Sequence, residues 1–165
     1  MLGKLLGNPA AAPAAVMITM ITIVAAKSAP TPELVLAPCN PADSNQAWSY
    51  TDMAMLSHHD TGLVIVAGGT EVQHQPAAVE LTANPLLTPA QWIRDEKTGQ
   101  LHAFRQYGNR CLQVTDCGEV VEVADCKQGP EQSFSTPSHA TQAPGLITSL
   151  CNGTKRCFTL GGARK

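Results

Sequence analysis

Beyond residue 30 the chain shows almost no 3.6-residue hydrophobic periodicity, and this excludes most helical architectures. Short β-branched and apolar runs recur instead, separated by Gly, Pro, Asn and Asp. They lie at Leu34–Ala37, Gly62–Val66, Val79–Thr82, Gly99–Phe104, Arg110–Val114, Glu119–Ala124, Gln132–Thr136, Leu146–Ser149 and Arg156–Leu160. Such spacing predicts an all-β sandwich or barrel. Gly68–Ala78 and Ser135–Pro144 read as polar loops. The 13 Gly and 12 Pro among 165 residues fit a turn-rich single domain. With 15% charged and 4% aromatic residues, the composition argues against a long coiled coil or an acidic disordered chain. A net charge of −2 without any Lys/Arg cluster argues against nucleic acid as a partner.

The runs repeat. Gln46-Ala47-Trp48, Gln91-Trp92 and Gln132-Ser133-Phe134 place one large ring per unit, 44 and 42 residues apart. A repeat of this length is consistent with threefold pseudo-symmetry, in which three rings share one core. A second family is offset from the first: Gly62–Val66, Arg110–Val114 and Arg156–Leu160. Each of its members follows another short strand, at Met53–Ser57, Gly99–Phe104 and Leu146–Ser149. The chain therefore opens with half a unit (34–50), continues through two whole ones (51–94 and 95–136) and closes with another half (145–160). That makes three units and about twelve short strands.

The N-terminus carries one base, Lys4, and no acid before Glu33. Ala14 to Ala26 is an unbroken small and apolar run with small residues at Val24 and Ala26. This pattern predicts a hydrophobic signal segment, 1–26, cleaved after Ala26 and followed by a linker, 27–33. The alternatives are a mis-called start and an uncleaved anchor, but a spanning helix needs about 20 apolar residues and Pro13 and Pro9 limit extension backwards. Six cysteines follow: Cys39, Cys111, Cys117, Cys126, Cys151 and Cys157. An even count behind a signal peptide predicts disulfides and a secreted, extracellular protein without membrane contact after cleavage. No Cys-x-x-Cys is present, and no metal or cofactor is expected. His58-His59-Asp60 reads as a solvated loop. Asn152-Gly153-Thr154 is an N-glycosylation sequon and equally a tight Asn-Gly turn.

Cys39-Asn40-Pro41-Ala42-Asp43-Ser44-Asn45-Gln46-Ala47-Trp48 resembles the Cys…Asn-Gln-x-Trp signature of ricin B-type lectin domains, and Cys111-Leu112-Gln113-Val114 resembles their Cys-Leu-Asp-Val strand. The resemblance spans residues 34–160, with a tail at 161–165. The second repeat drops the spacer at Gln91-Trp92, and the third has Phe134 for Trp. The resemblance implies a β-trefoil of three pseudo-repeats. It implies the pairs Cys111–Cys126 and Cys39–Cys157, the latter joining the chain ends. Cys117 and Cys151 remain, either paired with each other or as two free or intermolecular thiols. In such domains the motif Gln ties down backbone in its turn while the rings fill the core.

The resemblance also implies carbohydrate binding, with glycans or glycoproteins as partners. The family's acceptor Asp is replaced at the matching positions Ile65, Gln113 and Thr159, and its stacking aromatic by Ala37 and Ala124. A saccharide site needs a carboxylate or amide acceptor, a nearby amide donor and an apolar face. The 110–134 unit keeps most of these, with Gln113, Asp116, Glu122, Glu131 and Gln132. Asp116 or Glu122 can replace the missing acceptor, and Tyr107 can supply a ring. The split unit keeps Asn45 and Gln46. No carboxylate pair, nucleophile motif or phosphate loop marks catalysis, so the expected function is a lectin-like module that is not an enzyme. The alternatives are a fragment or accessory domain of a glycoside hydrolase, and a degenerate trefoil acting as a protein-interaction scaffold.

Overall fold

The computed structural model describes residues 32–68, 76–85, 87–104, 109–116, 120–140 and 143–161. The expected signal segment, most of the linker, Tyr107, Cys117 and residues 162–165 lie outside the described residues. The architecture is all-β. The described strands are β1 (Glu33–Pro38), β2 (Trp48–Tyr50), β3 (Leu56–His58), β4 (Val64–Ala67), β5 (Ala77–Thr82), β6 (Trp92–Arg94), β7 (Leu101–Ala103), β8 (Arg110–Thr115), β9 (Val120–Asp125), β10 (Phe134–Ser135), β11 (Thr148–Cys151) and β12 (Thr154–Gly161). Among the described residues the named helical elements are one turn at Leu87–Ala90 and the 3-10 turns Ser44–Gln46 and Pro130–Gln132. Among the described residues no helix is long and apolar enough to cross a membrane.

Antiparallel pairing arranges the strands as three four-stranded meanders: β2-β3-β4-β5, β6-β7-β8-β9 and β10-β11-β12-β1. The first two join through β5 and β9, with Ala77 opposite Val123 and Ala78 opposite Glu122. In the third, the first strand of the chain lies along the last, from Glu33 opposite Gly161 to Pro38 opposite Arg156. Both strands run one residue beyond the expected 34–160. The pairing also moves the unit boundaries. Trp48 heads the meander that follows it and pairs with His58, rather than ending the unit before it. The chain thus opens with one strand of the third meander, not with half a unit.

The three meanders interlock in a closed cycle. The Trp92 amide donates to the Ala54 carbonyl (2.7 Å), the Phe134 amide to Gly99 (3.0 Å) and the Trp48 amide to Gly145 (2.9 Å). Each ring-bearing strand is therefore fastened to the meander before it, and the first is fastened to the last. Gly99 has φ +73, and a Cβ there would lie 2.9 Å from the Phe134 carbonyl oxygen, so glycine permits this junction. The indoles repeat the pattern: Trp48 Nε1 donates to the Phe158 carbonyl (3.0 Å) and Trp92 Nε1 to the Ile65 carbonyl (2.9 Å). Phe134 has no such donor and instead packs edge-on to Phe158, with centroids 5.6 Å apart.

Corresponding positions of the meanders supply the core. Trp48, Trp92 and Phe134 form one set, Leu56, Leu101 and Ile147 another, and Ile65, Leu112 and Phe158 the third; all nine are buried. Strand alternation turns these side chains inward. Each contributes about 1.5–3 kcal/mol of transfer free energy, offset largely by conformational entropy. Two disulfides pin the sheets, Cys39–Cys157 and Cys111–Cys126, with Cα separations of 5.0 and 4.9 Å. Both are the pairs that the resemblance implied. Cys151 is also disulfide-bonded, while the partner considered for it, Cys117, lies outside the described residues.

His58 corrects one expectation. It is not in a solvated loop but closes β3, 1% exposed and edge-on to Trp48. The Thr61 amide donates to Nδ1 (3.3 Å), which assigns the proton to Nε2 and makes Nε2 the donor to the Ser44 carbonyl (3.0 Å). Next to this cluster, the buried Tyr50 hydroxyl donates to the Trp92 carbonyl. Burial holds the Tyr50 pKa above its ordinary value, although the nearby Arg94 acts in the opposite sense. A raised acidic pKa means the folded state holds its proton more tightly than the unfolded state. Tyr50 thus contributes stability that is complete below about pH 10 and is lost as the pH rises through the folded-state value. Urea midpoints measured from pH 8 to 11 are expected to fall more steeply above pH 10 in the parent protein than in Tyr50→Phe.

Candidate functional site

β8 carries the side chains on which the site is built. Cys111 pairs with Ala124, Gln113 with Glu122 and Thr115 with Val120 across to β9. The inward positions Leu112 and Val114 enter the core, and Gln113 between them faces the other way. At the end of the strand Asp116 takes a left-handed conformation, φ 48, and is exposed. The 3-10 turn Pro130–Gln132 and the tip of the β11–β12 hairpin approach this strand end. Together they line an open cavity of about 330 Å³. Gln113, Thr115, Asp116, Glu131 and Asn152 supply its polar lining, and Val114, Pro130, Leu150 and Cys151 its apolar lining.

A line of amides fixes Gln113. Gln100 Nε2 donates to Gln132 Oε1 (3.1 Å), Gln132 Nε2 to Gln113 Oε1 (2.8 Å), and Gln113 Nε2 to Glu122 Oε1 (3.1 Å). Each amide has one orientation compatible with this series, and the last acceptor is a carboxylate, which strengthens the final bond. Gln132 is anchored further: its Oε1 accepts from the Lys127 amide (2.6 Å) and its Nε2 donates to the Asp125 carbonyl (2.9 Å). These two groups flank Cys126. Gln46 does the same around Cys39, accepting from the Asn40 amide (2.8 Å) and donating to the Pro38 carbonyl (3.0 Å).

The expected site residues therefore separate into groups. Gln113, Asp116 and Glu131 line one cavity. Glu122 stands behind it as the partner of Gln113. Gln132 and Gln46 are buried at 0% and 1% exposure, with both ends of their amides engaged in the protein. Asn45 is exposed on its 3-10 turn, and its amide donates to Asp43 Oδ1 (3.0 Å). Neither Asn45 nor Gln46 lines either of the two described cavities. Tyr107, expected as a stacking ring, lies outside the described residues, and the described lining is aliphatic where it is apolar.

The structure revises the alignment in the first meander. Ile65 does not correspond to Gln113. Its carbonyl receives the Trp92 indole as the Phe158 carbonyl receives that of Trp48, and its side chain is 0% exposed like those of Leu112 and Phe158. The residue matching Gln113 and Thr159 is Val66, which faces Glu80 as Gln113 faces Glu122. Gln91 is likewise displaced by one. Ala90 occupies the place of the motif Gln, and Gln91 Nε2 donates instead to the Met53 carbonyl (3.1 Å).

Sequence reasoning missed Gln100 and Leu150. In Gly99-Gln100-Leu101 a single Gln resembles a solvated strand residue, yet it is buried and also donates to the Lys127 carbonyl (2.6 Å). Leu150 is half-exposed and lines the cavity from the hairpin side. It also lines a neighbouring cavity of about 400 Å³ with Thr98, Gln100 and Gln128. His102 Nδ1 lies 3.6 and 3.5 Å from the Cys111 and Cys126 sulfurs, but these form a disulfide and present no thiolate to a metal. The sequence matches no protein-family model and no curated protein at a significant level.

Proposed function

We propose that this chain is a secreted, lectin-like carbohydrate-binding module of the ricin B type, built as a β-trefoil and without catalysis of its own. Three meanders fastened in a closed cycle, with matched rings at their first strands, support the trefoil reading. The disulfides are compatible with an oxidising, extracellular setting.

The observation that carries the functional reading is one cavity bringing Asp116, Glu131 and Gln113 together. Two carboxylates accept hydrogen bonds from vicinal sugar hydroxyls, an amide held by the Gln132 series offers fixed polar atoms, and Leu150 with Pro130 takes the apolar face of the ring. At about 330 Å³ the cavity is at the small end of ligand sites, which fits a single terminal sugar. Absence of an aromatic from the described lining favours one second reading, a trefoil retained as a protein-interaction scaffold. A glycan panel probed with the secreted protein separates the two. The expected result is a hit whose affinity falls at least tenfold in Asp116→Ala and in Glu131→Gln, the loss of a charged hydrogen bond being worth about 1.5–3 kcal/mol. A folded protein that binds no glycan supports the scaffold.

A further inference from the structure

We infer that Asn152 carries an N-linked glycan and that this glycan covers the cavity of β8. Asn152 and Gly153 are the two-residue loop of the β11–β12 hairpin, between Cys151 and its pairing partner Thr154. Both have positive φ, 48 and 77, the geometry of a type I′ turn, for which Asn-Gly is the favoured pair. Both are exposed, and a Cβ placed on Gly153 would meet nothing within 4 Å. The acceptor sequon Asn152-Gly153-Thr154 is thus displayed at an open hairpin tip. The same Asn152 also lines the cavity, together with Asp116 and Glu131.

A glycan is bulky and hydrophilic, and one attached here begins at the cavity rim. It shields Asp116 and Glu131 from solvent probes and competes with any free ligand. Attachment rests on the sequon and the secreted reading above, and shielding on the hairpin geometry. The consequence for binding rests on the carbohydrate reading above. The cover makes the binding state of the protein depend on how its producing cell glycosylates it.

The test uses the protein secreted by a glycosylating host, compared with Thr154→Val, which removes the sequon but leaves Asn152 in place. Endoglycosidase-trimmed parent protein is a third sample with unchanged sequence, in case Thr154→Val folds poorly. Peptide mapping is expected to find the glycan on Asn152 of the parent protein. Carbodiimide labelling of Asp116 and Glu131 is expected to be at least threefold slower in the parent than in the other two samples. A vacant Asn152, or equal labelling rates in parent and trimmed protein, overturns the inference. If labelling is slowed but no sample binds a glycan panel, the cover stands and the carbohydrate reading fails.

Discussion

Replacing Cys39 and Cys157 together by Ser is expected to lower the unfolding free energy by roughly 5 kcal/mol, the chain-entropy value for a loop of this length. The two residues are 118 positions apart and bind the first strand of the chain to the last. Breaking the bond releases the unfolded chain from its largest constraint while leaving the β1–β12 ladder formally possible. A domain of this size typically has about 5–15 kcal/mol in total, so the double variant is expected to sit near its unfolding threshold at 25 °C. Removing Cys111 and Cys126, only 15 apart, is expected to cost about 3 kcal/mol on the same argument. Urea denaturation of both variants checks the order. A Cys39/Cys157 variant as stable as the parent protein would show that the terminal strands hold without the bond.

Trp92→Ala is expected to cost about 3–5 kcal/mol through the cavity it leaves. Removing the indole also deprives the buried Ile65 carbonyl of its donor, a further penalty of about 1–3 kcal/mol. Trp92→Phe also takes the donor from Ile65 but leaves a smaller cavity, as Phe134 fills the corresponding position of the third meander, and is expected to cost less, about 1–3 kcal/mol. The adjacent Ile93 is 46% exposed and supplies the control: Ile93→Ala is expected to change stability by less than about 0.5 kcal/mol. Equal costs at Trp92 and Ile93 in chemical denaturation would contradict a core organised around the three rings.

Most strands were legible because turn residues bracket β-branched runs, and the periodic rings disclosed that the runs form related units. β2 and β6 were not read as strands: at three residues each they are too short to show alternation, and pairing alone defines them. The unit boundaries shifted for the same reason, since a ring marks a position in a repeat without saying which neighbour its backbone bonds. The one-residue error at Ile65 arose because Val64-Ile65-Val66 is apolar throughout. The burial of Ile65 and the Trp92 indole on its carbonyl fix its place in the repeat.

At the site, Asp116 and Glu131 could be found because carboxylates stand out in a chain with so few charges. His58 could not be placed, because besides the neighbouring Thr61 its ring meets Ser44 and Trp48, which other parts of the fold bring to it. Leu150 and Asn152 come to the site from a hairpin distant in sequence, and nothing local to residues 110–134 announces them. The glutamines show the limit most clearly. Gln46 and Gln132 precede a ring and Gln113 stands in the β8 strand motif; all three are the same residue type, yet only Gln113 lines the cavity.

The most direct measurement is an amide chemical-shift titration of isotopically labelled protein with the sugars that a glycan panel selects. Saturable shifts concentrated at Gln113, Asp116, Glu131 and Leu150, with Asn45 and Gln46 unmoved, are the predicted result. Saturable shifts centred on Asn45, or a well-dispersed spectrum unchanged by any saccharide, would contradict it.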